Sequence, residues 1–103
     1  MLGFIKKLLG IPSVDFAELK KNGAIIIDVR TKGEFSGGSI KGSINIPLDT
    51  INQNLKQLKD KNQTIITCCA SGMRSATAKS ILKNLGYTQV YNGGGWYSLN
   101  NKI

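Results

Sequence analysis

The segment Thr64-Ile65-Ile66-Thr67-Cys68-Cys69-Ala70-Ser71-Gly72-Met73-Arg74-Ser75-Ala76 concentrates the residue types best suited to chemistry. A β-branched run delivers a thiol into a short loop of small residues, and that loop opens a helix. A free Cys has a pKa near ~8.5, so only a few per cent is ionised at neutral pH. Backbone N–H groups curling around the sulfur, the positive end of the helix and the Arg74 guanidinium would all favour the anion. Gly72 allows the positive φ that turns such N–H groups inward. Ser71 and Ser75 add hydroxyl donors. This activates sulfur without an imidazole, and the chain contains no His. A Ser–His–Asp triad, a Cys–His dyad and His-ligated zinc or haem are therefore excluded within it. Two Cys make neither a four-cysteine zinc site nor a disulfide framework. The expected chemistry needs no metal and no cofactor.

The elements that must position this loop follow from periodicity and punctuation. Ser13 or Asp15 caps a first helix, with Glu18 completing a capping-box pattern and Asn22-Gly23 stopping it. Ala24 to Val29 is apolar on both faces, as in a covered central strand. Residues 30–43 hold four Gly and no apolar period, which predicts an irregular loop. Ser43 to Ile46 is a short strand stopped by Pro47. Asp49 or Thr50 opens a helix with Ile51, Leu55 and Leu58 on one face. Gln63 to Cys68 is the next strand and Ser75 to Leu85 the next helix, ended by Gly86. Gln89 to Tyr91 is the last strand, Gly93-Gly94-Gly95 a flexible joint, and Trp96 to Leu99 a final helical turn. The alternation predicts a small α/β domain, a mostly parallel sheet with helices on both faces. In such sheets ligands bind beyond the carboxyl ends of the strands, where the thiol loop falls.

The chain has 103 residues, room for one domain, taken as residues 13–103 behind an N-terminal segment 1–12. Its 41% hydrophobic content is too high for disorder, and no apolar run reaches the ~18 residues of a membrane span. Leu2, Ile5, Leu8 and Leu9 fall near one face of a short amphipathic helix, which docks on the domain or touches a membrane surface or partner. Lys6 and Lys7 interrupt the apolar stretch, unlike a signal peptide, so a cytoplasmic location is expected. Fourteen Lys plus Arg against six Asp plus Glu give +8. Such a field attracts anions in general, but the aromatic-Arg interleaving of a nucleic-acid face is missing.

The residues also resemble a known family. Cys69 to Ser75, a Cys with four intervening residues before Arg74, is similar to the active-site loop of rhodanese-like sulfurtransferases. Asp28-Val29-Arg30, Glu34-Phe35 and Gly42-Ser43-Ile44-Asn45-Ile46-Pro47 resemble the upstream family segment. Leu85-Gly86-Tyr87, Val90-Tyr91 and Gly93-Gly94 resemble its ending. The matches keep the family's order from about residue 14 to 97. Ser39 stands where the family usually has His, and Ala70 and Met73 leave Arg74 as the loop's only cation. The resemblance implies a rhodanese-like fold and sulfur transfer through a persulfide on Cys69. The N–H groups of Ala70, Ser71, Gly72, Met73, Arg74 and Ser75 would form the anion cradle. The expected partners are a small anionic donor such as thiosulfate and a thiol or cyanide acceptor, with a protein acceptor as a further option and the chain a monomer or weak homodimer. Asp28 and Arg30 are expected to support the loop. Cys68 is a core residue or, on a second reading, a redox neighbour of Cys69. Trp96 and Tyr97 cap the domain or line the pocket mouth.

Two other functions compete. Counted from Cys68, the segment has the C-x5-R-S spacing of Cys-dependent phosphatases, although Thr67 stands where those enzymes often carry His. The fold also serves as a non-catalytic binding scaffold. The enzymatic reading requires the sulfur of Cys69 to be faced by the amides of the turn and to be reachable.

Overall fold

The computed structural model describes residues 13–103. The expected amphipathic helix over 1–12 lies outside them. Helix α1 (Phe16–Lys21) starts where Asp15 accepts a hydrogen bond from the Glu18 N–H at 3.1 Å, and Gly23 leaves it with φ +99°. Strands β1 (Ile25–Asp28), β2 (Ile44–Asn45), β3 (Ile65–Cys69) and β4 (Val90–Gly95) form one sheet in the order β2-β1-β3-β4. All three pairings are parallel. The central strands are therefore buried on both faces, which explains their unbroken apolar sequences.

Side chains alternate across the sheet. Ile27, Val29, Ile65 and Cys69 enter one core, covered by helix α3 (Met73–Asn84) through Ala78 and Leu82 and by Ile51 and Leu58. Ile26, Ile66 and Cys68 enter the other, with Leu99 and the partly buried Phe16, Leu19 and Trp96. Ile27, Ile65, Ile66, Leu82 and Leu99 are wholly buried. Each such side chain contributes roughly 1.5–3 kcal/mol of transfer free energy.

Three expectations are corrected. Residues 30–43 are not all irregular: helix α2 (Lys32–Ser36) begins with a complete capping box between Thr31 and Glu34. Its five residues are too short to show an apolar period. The helix expected through Leu58 is a 3-10 segment, Leu48–Gln53, starting after Pro47 and ending at Asn54. Asn54 leaves it at φ −128°, ψ 43°, outside helical values, so the apolar spacing of Ile51, Leu55 and Leu58 is not carried by one helix. Gly93 to Gly95 belong to β4, and Trp96–Asn100 follows directly as α4. A Cβ on Gly93 would lie 2.8 Å from side-chain atoms of both Ile66 and Leu99, and one on Gly95 2.9 Å from the Ala70 carbonyl oxygen. These glycines permit close packing and are not a flexible joint.

Candidate active site

β3 runs one residue further than expected and ends on Cys69, so the two thiols project to opposite faces of the sheet. Cys68 sits among apolar side chains. Burial, reinforced by the Asp28 charge, pushes its thiol up to about 12, against the opposing pull of Arg30. Cys69 lies under the turn into α3. Gly72, at φ +106°, caps that helix in the left-handed region and sends its N–H to the Cys69 Sγ at 2.9 Å. The Ser75 N–H reaches the same sulfur at 3.4 Å, and the Ser75 hydroxyl lies 3.4 Å away. Burial pushes the Cys69 thiol up, but the Ser75 hydroxyl and the amides of Ser75, Gly72 and Ser71 outweigh it, leaving the thiol below its ordinary value.

The amides therefore face the sulfur, as the sequence required. Its accessibility does not match. Cys69 has no exposed surface, because its own loop covers it. Ala70, Ser71 and Met73 lie outside that cover, Met73 being 80% exposed.

Arg74 is also placed differently from expectation. Its guanidinium pairs with Glu34 through Nη1–Oε1 at 2.7 Å and Nη2–Oε2 at 2.9 Å. Hydrogen bonding from Arg74, aided by the Thr31 amide, lowers the Glu34 carboxyl to about 2. Arg74 thus closes the outer side of the site against α2, and its charge reaches Cys69 only through space. Nothing local pairs residues forty positions apart, so this contact was not legible in the sequence.

Asp28 and Arg30 form a buried forked pair, with Nε–Oδ1 at 3.0 Å and Nη2–Oδ2 at 2.7 Å. The guanidinium also donates to the carbonyls of Glu34 at 3.2 Å and Gly38 at 2.7 Å, and lies 4.7 Å from the Trp96 ring centroid. One buried cation thereby ties the middle of α2 and the turn after it to the end of β1. Trp96 packs on the second core, whereas Tyr97 is exposed.

One residue was missed altogether. Asn92 on β4 accepts the Ser75 hydroxyl at 2.6 Å and the Gly94 N–H at 2.9 Å, and donates to the Gly72 carbonyl at 3.3 Å. Its only local sign is a polar residue between Tyr91 and Gly93 near a strand end. Thr67 completes the frame by donating to the Ser75 carbonyl at 2.8 Å.

Beside Arg74 runs a groove of about 270 Å³ lined by Val29, Thr31, Pro47, Leu48 and Asp49. It shares Thr31, Pro47 and Asp49 with a larger groove of about 670 Å³ at the β2 edge. Cys69 lines neither. Among the described residues, no three His, Cys, Asp or Glu side chains gather as a metal-binding group. No described helix is long and apolar enough to cross a membrane.

These features define a class: small parallel α/β domains that present a cysteine at a strand-to-helix loop. Within it, the chain belongs to the family of rhodanese-like domains, whose model matches residues 14–102. It is 40% identical over 70 residues to the thiosulfate sulfurtransferase PspE of Escherichia coli K12, covering 67% of each chain. It is 39% identical over 69 residues to a tRNA sulfurtransferase of Thermoplasma acidophilum, covering 66% of this chain but 13% of that larger protein. Among solved structures, a rhodanese with anions from E. coli superposes with a TM-score of 0.69 at 37% identity, covering 73% of this chain and 89% of that one.

Proposed function

We propose that the protein is a rhodanese-type sulfurtransferase that carries sulfur as a persulfide on Cys69. The observation that carries this reading is the Cys69 Sγ held by the Gly72 and Ser75 amides at the head of α3. The thiolate attacks the outer sulfur of an anionic donor such as thiosulfate. A sulfur–sulfur bond forms, the bond to the sulfonate sulfur breaks, and sulfite leaves with the electron pair. A nucleophilic acceptor, cyanide or a thiolate, then attacks the terminal sulfur and releases the Cys69 thiolate. Amides preset around the sulfur stabilise negative charge without reorganising.

The donor reaches the sulfur when the turn carrying Gly72, whose N–H lies on Cys69, moves toward solvent. Its anionic character suits the Lys-rich surface, and the E. coli relative's sulfurtransferase activity and the anions in the solved rhodanese agree with it.

The phosphatase register loses support from the same geometry. Cys68 faces the opposite core, receives no side-chain hydrogen bond from the loop amides and is driven to about 12, so it is a poor nucleophile. Its orientation also opposes a vicinal disulfide, which would require breaking the end of β3.

Intact-mass measurement after thiosulfate treatment tests the proposal. The expected result is a gain of one sulfur atom, mapped to Cys69 and removed by cyanide. Cys69→Ser should abolish both this gain and turnover, while Cys68→Ser keeps most of each. Full activity in Cys69→Ser would overturn the assignment.

A further inference from the structure

The Ser75 hydroxyl has one proton and three neighbours that can take it: Asn92 Oδ1 at 2.6 Å, the Gly72 carbonyl at 3.0 Å and the Cys69 Sγ at 3.4 Å. Two of these only accept. The sulfur donates as a thiol and accepts as a thiolate. The Asn92 amide is oriented without ambiguity, because its Oδ1 faces the Gly94 N–H at 2.9 Å and its Nδ2 faces the Gly72 carbonyl at 3.3 Å. Turning the amide over would set donor against donor and acceptor against acceptor. Asn92 Oδ1 is therefore a fixed acceptor, and its short contact is the better one for the Ser75 proton.

We propose that Asn92 is a positioning residue that competes with the Cys69 sulfur for the Ser75 hydroxyl proton and so sets how much of Cys69 is thiolate. While the sulfur is a thiol, Ser75 donates to Asn92 and offers the Sγ–H a lone pair. When Cys69 ionises, the hydroxyl rotates away from Asn92 and donates to the anion. The rotation moves a hydrogen bond and transfers no proton between heavy atoms. The catalytic meaning of this switch rests on Cys69 being the sulfur carrier; the switch itself does not.

Charged and titratable groups on the elements around the sulfur include Arg74 of α3, its partner Glu34 of α2, the Asp28–Arg30 pair at the end of β1, Asp49 of the 3-10 segment and Cys68 on the far face. None of them is hydrogen-bonded to the Cys69 sulfur. Among the described residues, Ser75 is thus the one side chain that is hydrogen-bonded to this sulfur and can change what it offers.

The test is a pH titration of the Cys69 thiolate by its ultraviolet absorbance, which needs no reagent to enter the loop. Asn92→Ala frees the Ser75 hydroxyl for the sulfur, so the thiolate should form at lower pH, by on the order of one unit. A purely structural Asn92 would act in the opposite direction, since a loosened amide ring raises the thiol. In a Ser75→Ala background the Asn92→Ala shift should vanish. An upward shift, no shift, or a shift that persists without Ser75 overturns the proposal. If Asn92→Ala does not fold, the isosteric Asn92→Asp is read instead. It should raise the titration more with Ser75 present than absent, and equal rises would overturn the proposal. Thiosulfate–cyanide turnover of the wild-type protein is measured separately: its absence would defeat the sulfurtransferase reading and leave the titration to judge Asn92.

Discussion

At the scale of single residues, the two adjacent cysteines show how little chemical identity decides. Both are buried, yet one thiol is pushed up to about 12 and the other is brought below its ordinary value. The difference is that the Ser75 hydroxyl and backbone N–H groups face the Cys69 sulfur, whereas Cys68 is buried beside the Asp28 charge. Arg74 and Glu34 make a second case. The Glu34 carboxyl falls from an ordinary 4.5 to about 2. Its folded value is depressed, so whatever the pair contributes is present above the ordinary value and lost as pH falls through about 2. Both side chains are about a third exposed, 36% and 37%, so water screens the pair and its worth lies in the charge balance at the site more than in stability. Glu34→Gln leaves the Arg74 charge unneutralised and should lower the Michaelis constant for thiosulfate about two- to fivefold, the scale of one exposed ion pair. Arg74→Ala should raise it by a similar factor. Steady-state kinetics on both variants check this, and equal constants would remove Arg74 from donor binding. The Cys, Gly72 and Ser75 components of this site were legible because they are local. Glu34 and Asn92 were not, because they come from α2 and β4.

At the scale of elements, β4 is the clearest lesson. Three consecutive glycines read as a joint from composition, yet they form the strand end packed against the turn that follows Cys69. Gly93→Ala should cost about 1–3 kcal/mol or more, because the added methyl meets Ile66, Leu99 and the Thr67 carbonyl oxygen within 2.9 Å. A lower denaturant midpoint at unchanged slope is the expected readout. The Asp28–Arg30 pair is the corresponding device on β1. It is buried, with side-chain exposures of 0% and 5%. Asp28→Asn leaves the Arg30 cation without its counter-charge and should cost about 3–5 kcal/mol in the same measurement. Wild-type stability in that variant would show that the carbonyls of Glu34 and Gly38 suffice to hold the guanidinium. Helix α2, which this cation anchors, was encoded in the Thr31–Glu34 capping box but hidden by its shortness.

At the scale of the whole molecule, the net charge of +8 and the parallel sheet act on different steps. The charge raises the local concentration of anions before any contact forms, and salt screens it. Donor kcat/KM should therefore fall roughly two- to fivefold from low to physiological ionic strength, with kcat at saturation little changed. A flat salt profile would confine donor recognition to the loop itself. The sheet sets where reaction occurs, since all four parallel strands carry their carboxyl ends to one edge. Sequence alone determined the alternation of strands and helices, the anion-attracting surface, the absence of imidazole chemistry and the thiol-bearing turn at a helix start. Each is written in neighbouring residues or in a summed composition, through periodicity, capping and charge. Only the tertiary structure decided that Cys69 lies covered by its loop, that Arg74 answers to Glu34, that Ser75 answers to Asn92, and that Gly93 and Gly95 admit close packing. Those outcomes depend on strand order and register, which bring together residues 17 to 40 positions apart and exist only once the sheet has assembled.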